Sequence, residues 1–96
     1  MSFNKEAAVE RARQDLAARI AVTENDIKEA AVEDADFPDM ALGAAAKGEM
    51  SGQMITAGWR IRLQANGQSY EYRANQHQLR LFNFKGANYR VSESRV

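Results

Sequence analysis

The chain has 96 residues, with 13 Lys plus Arg, 13 Asp plus Glu and no Cys. This length fits one domain and is too short for two independent hydrophobic cores, which excludes a multidomain enzyme. The lack of cysteine excludes a disulfide framework, a thiolate zinc site and a cysteine nucleophile. Leu, Ile, Val and Phe total only 18 residues. The core is therefore thin, and such a domain has reason to bury further surface against itself or a partner.

Residues 5–21 have the pattern of an amphipathic α-helix. Apolar residues recur three or four positions apart: Val9, Ala12, Leu16 and Ile20. Asn4 is the expected N-cap, because its side chain can accept from free amides of the first turn. The first residues carry no apolar signal-peptide region, and no apolar run reaches the length of a membrane span. The sequence therefore predicts a cytoplasmic location and no membrane partner.

Residues 24–37 carry the spacing of a helix, since Ile27, Ala31 and Ala35 recur every four positions and Ala and Glu favour helix. Pro38 restricts the residue before it and ends this element. From Pro38 to Gly52 the composition changes to Ala, Gly, Met and Ser without a period. This change predicts a mobile surface loop.

The clearest pattern is a β-hairpin centred on Asn66-Gly67. Apolar and polar residues alternate from Trp59 to Gln64 and again from Ser69 to Arg73, and Asn-Gly tolerates the two positive φ angles of a type I′ turn. With these two residues as the loop, Trp59 lies opposite Ala74 and one face of the hairpin is apolar. On the other face the same register pairs Arg62 with Glu71 and places Arg60 beside Arg73.

A third strand is predicted over Leu79 to Phe84, although either face of it carries large apolar residues. The chain after residue 86 has two interpretations: a short edge strand at Asn88 to Val91, or a loose tail, which we favour beyond Val91. We therefore expect a single α+β domain over residues 1–91 and a flexible C-terminal tail over residues 92–96.

Three runs carry a resemblance to known sequences: Phe37 to Gly43, Gln53 to Leu63, and Gly67 to Tyr72. Over about residues 7–74 the chain resembles a group of small uncharacterised bacterial domains. These have a helix followed by patterns like Trp-Pro-Asp-x-Ser-Leu-Gly-Cys-Pro, Thr-Pro-Gly-Tyr-x-Ile-x-Leu and Tyr-x-Tyr-His-Thr. This chain departs from the patterns at Phe37, Ala44-Ala45, Ala57 and Arg73-Ala74, which replace Trp, Cys-Pro, Pro and His-Thr.

The resemblance implies architecture and supplies no activity. The group has β-branched residues where this chain has residues 27–35, which implies a strand there against the helical spacing, and we follow the resemblance. The expected fold is α+β: one N-terminal amphipathic helix packed on an antiparallel sheet of about four strands, a cystatin-like or related arrangement in broad outline.

Residues suited to catalysis or metal binding are few. His77 is the only histidine and lies in a polar connection, where an exposed turn residue is the ordinary interpretation. Asp34, Asp36 and Asp39 lack the turn glycine and the distal Glu of a calcium loop. Gly43, Gly48 and Gly52 do not match a phosphate-binding loop. We expect no enzyme, no catalytic residues, no metal and no cofactor.

Four arginines are the strongest candidates for a binding site: Arg60, Arg62, Arg73 and Arg80. Their guanidinium groups are suited to bidentate capture of carboxylates on a partner with an acidic surface. The alternative is that the acidic stretch from Glu29 to Asp39 neutralises these arginines within the chain. The charge distribution favours it, because residues 1–54 carry 11 acidic and 6 basic side chains, whereas residues 55–96 carry 2 acidic and 7 basic ones. The balanced total argues against nucleic acid as a partner.

The sequence alone thus favours a small non-enzymatic protein-binding or assembly domain that uses the arginine-bearing sheet face. Its partner would be a protein with an acidic surface or a second copy that pairs at a sheet edge. The alternative is a small inhibitor or regulator of a hydrolase that acts through the 40–54 loop, with Met40, Met50 and Met54 as contact residues. The last three residues, Ser94-Arg95-Val96, would fit a groove that binds a C-terminal carboxylate by strand addition, but we interpret them as an ordinary tail.

Overall fold

The computed structural model describes residues 4–93. Its elements are helix α1 (Lys5–Ile20), a 3₁₀ turn (Glu24–Asp26) and strands β1 (Lys28–Phe37), β2 (Thr56–Ala65), β3 (Gln68–Ala74), β4 (Gln78–Phe84) and β5 (Ala87–Glu93). The strands form one antiparallel sheet in the order β1-β2-β3-β4-β5. The predicted α+β class is confirmed, with five strands rather than four.

Helix α1 begins where the sequence predicts and ends at Ile20, one residue earlier than predicted. The amide of Ala7 donates to Asn4 Oδ1 at 2.7 Å, which satisfies one of the free donors of the first turn. Ala21 adopts a left-handed conformation with φ 57° and caps the last turn. The buried residues of the helix face the sheet: Ala8, Val9, Ala12 and Leu16.

Strand β1 replaces the helix that the spacing of residues 24–37 suggests. The helical interpretation is wrong and the strand implied by the resemblance is confirmed, because β1 pairs with β2 from Lys28 opposite Gln64 to Phe37 opposite Thr56. Pairing with the neighbouring strand outweighs the weak helix propensity of Ala and Glu. A register shift between Glu29 and Ala31 bends the outer edge.

The hairpin has the predicted register throughout, including Trp59 opposite Ala74 and Arg60 opposite Arg73. Asn66 and Gly67 have φ angles of 53° and 75°, as a type I′ turn requires. Strand β4 begins at Gln78, and β5 follows it after a tight turn. Strand β5 continues through Glu93, so Ser92 and Glu93 belong to the sheet rather than to the predicted tail. Residues 94–96 of that tail lie outside the described residues.

The main hydrophobic core lies between α1 and one face of the sheet, which we call the helix face. Its sheet residues come from three central strands: Ile61, Leu63, Ala65, Tyr72, Ala74, Leu79 and Leu81. The Tyr72 hydroxyl donates to Asp15 Oδ2 at 2.7 Å. Burial, followed by this hydrogen bond to a carboxylate, raises the pKa of Tyr72 well above its ordinary value. The core is small, as the composition predicts.

Candidate functional site

The opposite face of the sheet carries the predicted arginines, and we call it the arginine face. Because Arg60, Arg73 and Arg80 are paired across β2, β3 and β4, their side chains project from the same face in one row. Arg62 projects from this face as well, opposite Glu71. The structure therefore brings all four predicted arginines together.

Residues 38–55, here called the 38–55 segment, join β1 to β2 and fold across the arginine face. The segment has no regular secondary structure, as predicted, yet it is packed against the sheet rather than lying free above it. Four apolar residues are buried at this contact, outside the core under α1: Phe37, Ala41, Leu42 and Ala44. The domain thus has a second, smaller apolar cluster.

Local hydrogen bonds shape the start of the segment. Asp39 Oδ1 accepts from the amides of Ala41 and Gly43, both at 2.9 Å. The Met40 amide donates to the Gly52 carbonyl at 2.9 Å, which ties the two ends of the segment together. Leu42 and Gly43 have φ angles of 59° and 65°. The resulting turn directs backbone carbonyls toward the sheet.

Arg73 binds these carbonyls. Its Nη1 donates to the carbonyl oxygens of Leu42 at 3.1 Å and Gly43 at 3.2 Å, while its Nε donates to Glu71 Oε2 at 2.7 Å. The guanidinium carbon lies 3.6 Å from the centroid of the Phe82 ring, a cation–π contact. The side chain of Arg73 is only 13% exposed. Arg73 therefore uses Nε and Nη1 in hydrogen bonds within the chain.

Arg80 holds the far part of the segment. It is 3% exposed, and its two terminal nitrogens donate to Glu49 at 2.6 and 2.8 Å. Nη1 also lies 3.3 Å from the Ala44 carbonyl. The Arg80 hydrogen bond lowers the pKa of Glu49 to about 2, helped by the Ala46 amide and by Arg90 and opposed by burial. Arg80 and Glu49 thus form a paired, nearly buried contact between sheet and segment.

Two amide side chains complete these contacts, and sequence reasoning missed both. Gln78 Nε2 donates to the Met40 carbonyl at 2.7 Å, and Asn88 Nδ2 donates to the Ala45 carbonyl at 2.9 Å. Sequence pattern gives no signal for them, because each partner is a backbone carbonyl more than thirty positions away. Glu49 was missed because its partner, the Arg80 guanidinium, is 31 positions away.

The remaining two arginines are more accessible. Arg60 Nε lies 3.4 Å from Glu71 Oε2, so Glu71 relieves the predicted repulsion between Arg60 and Arg73. The Arg62 side chain is 50% exposed, with Glu33 and Glu71 oxygens at 3.9 Å. In the described ion pairs, Glu33 is the only member of the predicted acidic stretch that reaches these arginines. Glu49 and Glu71 supply most of their neutralisation.

The outer surface of the 38–55 segment carries several exposed apolar side chains beside polar ones such as Lys47 and Gln53. The large apolar side chains that stand exposed within residues 4–93 all belong to it: Met40 (51%), Met50 (95%), Met54 (63%) and Ile55 (75%). Three of them are the predicted loop contacts, and Ile55 was missed because it borders a strand. The structure thus places the two predicted sets of site residues, the arginines and the methionines, on opposite sides of one segment.

Over residues 4–93, no three His, Cys, Asp or Glu side chains gather in a way that would hold a metal ion. His77 is exposed in the turn between β3 and β4, where its backbone amide donates to Asn75 Oδ1 at 2.8 Å. In that described range no helix has the length and apolar character needed to cross a membrane.

Fold and site together define a small α+β domain whose single sheet carries a helix on one face and an irregular, arginine-bound segment on the other. The chain belongs to the family described as Domain of unknown function (DUF8738), which it matches over residues 9–82. This agrees with the resemblance to small uncharacterised domains. Neither a curated protein nor a solved structure matches the chain.

Proposed function

We propose that this protein is a non-enzymatic protein-binding domain that contacts its partner through the exposed apolar side chains of the 38–55 segment. One observation carries the proposal: every large apolar side chain exposed within residues 4–93 lies on this segment. Single exposed apolar residues are ordinary on a protein surface, but several within sixteen positions are typical of an interaction site.

The arginines act in this proposal as positioning residues. Arg73 and Arg80 bind the inner side of the segment, so they are not available to a partner without giving up these contacts. An irregular segment that is held in place loses less conformational entropy on binding than a free loop does. The sheet thereby presents a preordered surface of adaptable methionine side chains.

This assignment differs from the acidic-partner hypothesis based on the sequence. That hypothesis required guanidinium groups that face outward, whereas the Arg73 side chain is 13% exposed and Arg80 is almost fully buried. Arg62 alone among them is half exposed, which limits the surface left for acidic groups. The loop-mediated alternative places the contact at the same methionines, and inhibition of a hydrolase would be one form of it.

The chain composition allows a direct test by photo-crosslinking. Three of its four methionines lie on the 38–55 segment, whereas the five leucines are all 0% exposed. The protein is prepared with photo-methionine in one batch and photo-leucine in another, purified, added to an unlabelled extract of its native host and irradiated, and crosslinked products are identified by mass spectrometry. We expect a discrete heterologous adduct with photo-methionine, attached at residue 40, 50 or 54.

Photo-leucine is the matched control, because its diazirines are buried and should give only crosslinks within the chain. Adducts attached solely through residue 1, or equal heterologous yields with both amino acids, would contradict the proposal. If the captured partner is a hydrolase, its activity in the presence of the domain decides whether the domain inhibits it.

A second experiment uses the identified partner in purified form. Met50→Glu and Ile55→Glu should each weaken binding at least tenfold in a calorimetric titration, because each buries a charge at the interface. Gln53→Glu adds the same charge to the same segment without removing an apolar side chain, and should change the affinity less than threefold. Equal losses in all three variants would indicate electrostatic repulsion rather than apolar contact.

A further inference from the structure

A separate feature lies at the end of the sheet near the turn between β3 and β4. A cleft of about 500 Å³ opens there between β1, the start of β2 and this turn. Asp34 and Asp36 line one side, Trp59 and Ala57 lie beside them, and His77 belongs to the opposite wall. The cleft is distinct from the contact between the segment and the arginine face.

The strand register accounts for its chemistry. Asp34 lies opposite Trp59 and Asp36 opposite Ala57, so the four side chains project from the same face of the sheet. The small Ala57 leaves space next to the half-buried indole. Two carboxylates beside an aromatic ring form a surface suited to a cation, since the carboxylates attract its charge and the ring face accepts it through cation–π contact.

The chain supplies its own example of this recognition. Lys5 Nζ lies 3.1 Å from Asp34 Oδ1, so an ammonium group already approaches one of the two carboxylates. Asp36, in contrast, forms no ion pair with any described residue. The cleft thus keeps one carboxylate free for a cation from outside.

The backbone at the cleft offers a second means of binding a ligand. Strand β2 begins at Thr56, but its pairing with β3 begins only at Trp59 opposite Ala74. In the described chain, no strand therefore pairs with Thr56 and Ala57 on the β3 side, whereas the Ala74 carbonyl already lies against Gly58, and Ala57 of this short edge borders the cleft. Such an edge can bind an extended peptide through main-chain hydrogen bonds.

From this geometry we infer that the cleft binds a basic side chain, Arg or Lys, of an extended polypeptide segment. The carboxylates of Asp34 and Asp36 hold the cation, the Trp59 ring packs against it, and the unpaired edge of β2 at Thr56 and Ala57 pairs with the peptide backbone. This inference is independent of the proposed role of the methionines, because it rests on other residues and is tested with short peptides.

The test uses the single tryptophan of the chain as its reporter. The indole N–H of Trp59 is followed by ¹⁵N–¹H NMR during titration with acetyl-Ala-Arg-Ala-amide. Two further probes are acetyl-Ala-citrulline-Ala-amide, which is neutral and nearly isosteric, and methylguanidinium, which has no peptide backbone. We expect a saturable shift with the arginine peptide and at least tenfold weaker binding of both other probes.

Asp36→Asn is the critical variant, because Asp36 has no ion pair to lose and the fold should be retained. It should weaken binding of the arginine peptide at least fivefold. Glu33→Gln, on the same strand but on the arginine face, is the control and should leave the affinity unchanged. Equal binding of the citrulline peptide, or an unchanged affinity in Asp36→Asn, would overturn the inference, and equal binding of methylguanidinium would remove its peptide part.

Discussion

The two faces of the sheet are covered by different means. On the helix face, α1 satisfies its own backbone hydrogen bonds and packs apolar side chains such as Leu16 against the sheet, with Asp15 accepting one hydrogen bond from Tyr72. On the arginine face, the 38–55 segment has no regular hydrogen bonding, so its carbonyls need donors from elsewhere. Arg73, Arg80, Gln78 and Asn88 supply them. The helix needs no donors from the sheet for its backbone carbonyls, whereas the irregular segment requires polar side chains from the sheet.

The largest expected effect concerns Arg80. Arg80→Ala removes a nearly buried guanidinium and leaves Glu49 without its bidentate partner, so we expect a loss of about 4 kcal/mol in the free energy of unfolding. Urea denaturation followed by Trp59 fluorescence measures it. Arg90→Ala is the control: Arg90 is 55% exposed with ion pairs of 3.8 to 4.0 Å, and its loss should cost less than about 0.5 kcal/mol.

The apolar contacts of the two faces can be compared through one leucine on each, both 0% exposed. Leu16→Ala leaves a cavity between helix and sheet and should cost about 3 kcal/mol. Leu42→Ala should cost about 2 kcal/mol, because the irregular segment relaxes more readily around the missing side chain. Thermal and urea unfolding of the two variants give both values. A larger loss for Leu42→Ala would show that the segment is the more rigid cover.

Substitutions at two glycines of the segment test the close approach of Arg73. A Cβ at Gly43 would lie 2.7 Å from Arg73 Nη1 and 3.2 Å from Pro38 Cδ, whereas one at Gly48 would meet nothing within 4 Å, and φ is positive at both positions. Gly43→Ala and Gly48→Ala therefore share the backbone strain, about 1 kcal/mol, and only the former displaces the guanidinium. We expect Gly43→Ala to be the less stable by about 1 kcal/mol in urea denaturation. Equal stabilities would contradict the contact.

The last prediction is a pH dependence of the stability through Glu49. Because the pKa of Glu49 is lowered to about 2 from 4.5, its contribution to folding is complete above pH 4.5 and is lost as the pH falls toward 2. Glu49→Gln should thus be less stable than the natural chain at pH 6, and the difference should shrink between pH 4.5 and pH 2. Melting temperatures of both proteins across this range measure it. A difference that stays constant with pH would exclude Glu49 as the titrating group.

Elements with local signals were predictable from the sequence. The cap at Asn4, the turn at Asn66-Gly67 and the register of the hairpin depend on neighbouring residues, and all have the expected form. Strand β1 was harder, because its pairing with β2 is a long-range contact that overrides local spacing. The resemblance, rather than the residue pattern, identified it as a strand.

The site was only partly predictable. The row of arginines follows from the hairpin register, but their partners do not. The Leu42 and Gly43 carbonyls are about thirty positions from Arg73, and every residue has such a carbonyl. No residue type in the sequence marks a carbonyl that will need a donor. The sequence therefore predicted where the guanidinium groups meet and left open whether they face the chain itself or a partner.

The order of the strands also shapes how the domain can assemble. Strands β2 to β5 are joined by connections of two or three residues, whereas β1 is joined to β2 by the 18 residues from Pro38 to Ile55. Closing this longer loop costs about 2 kcal/mol more in chain entropy than closing a two-residue turn. The β2–β5 meander can consequently form early, with β1 docking late, and a chain that has not yet docked β1 displays the long edge of β2 to its neighbours.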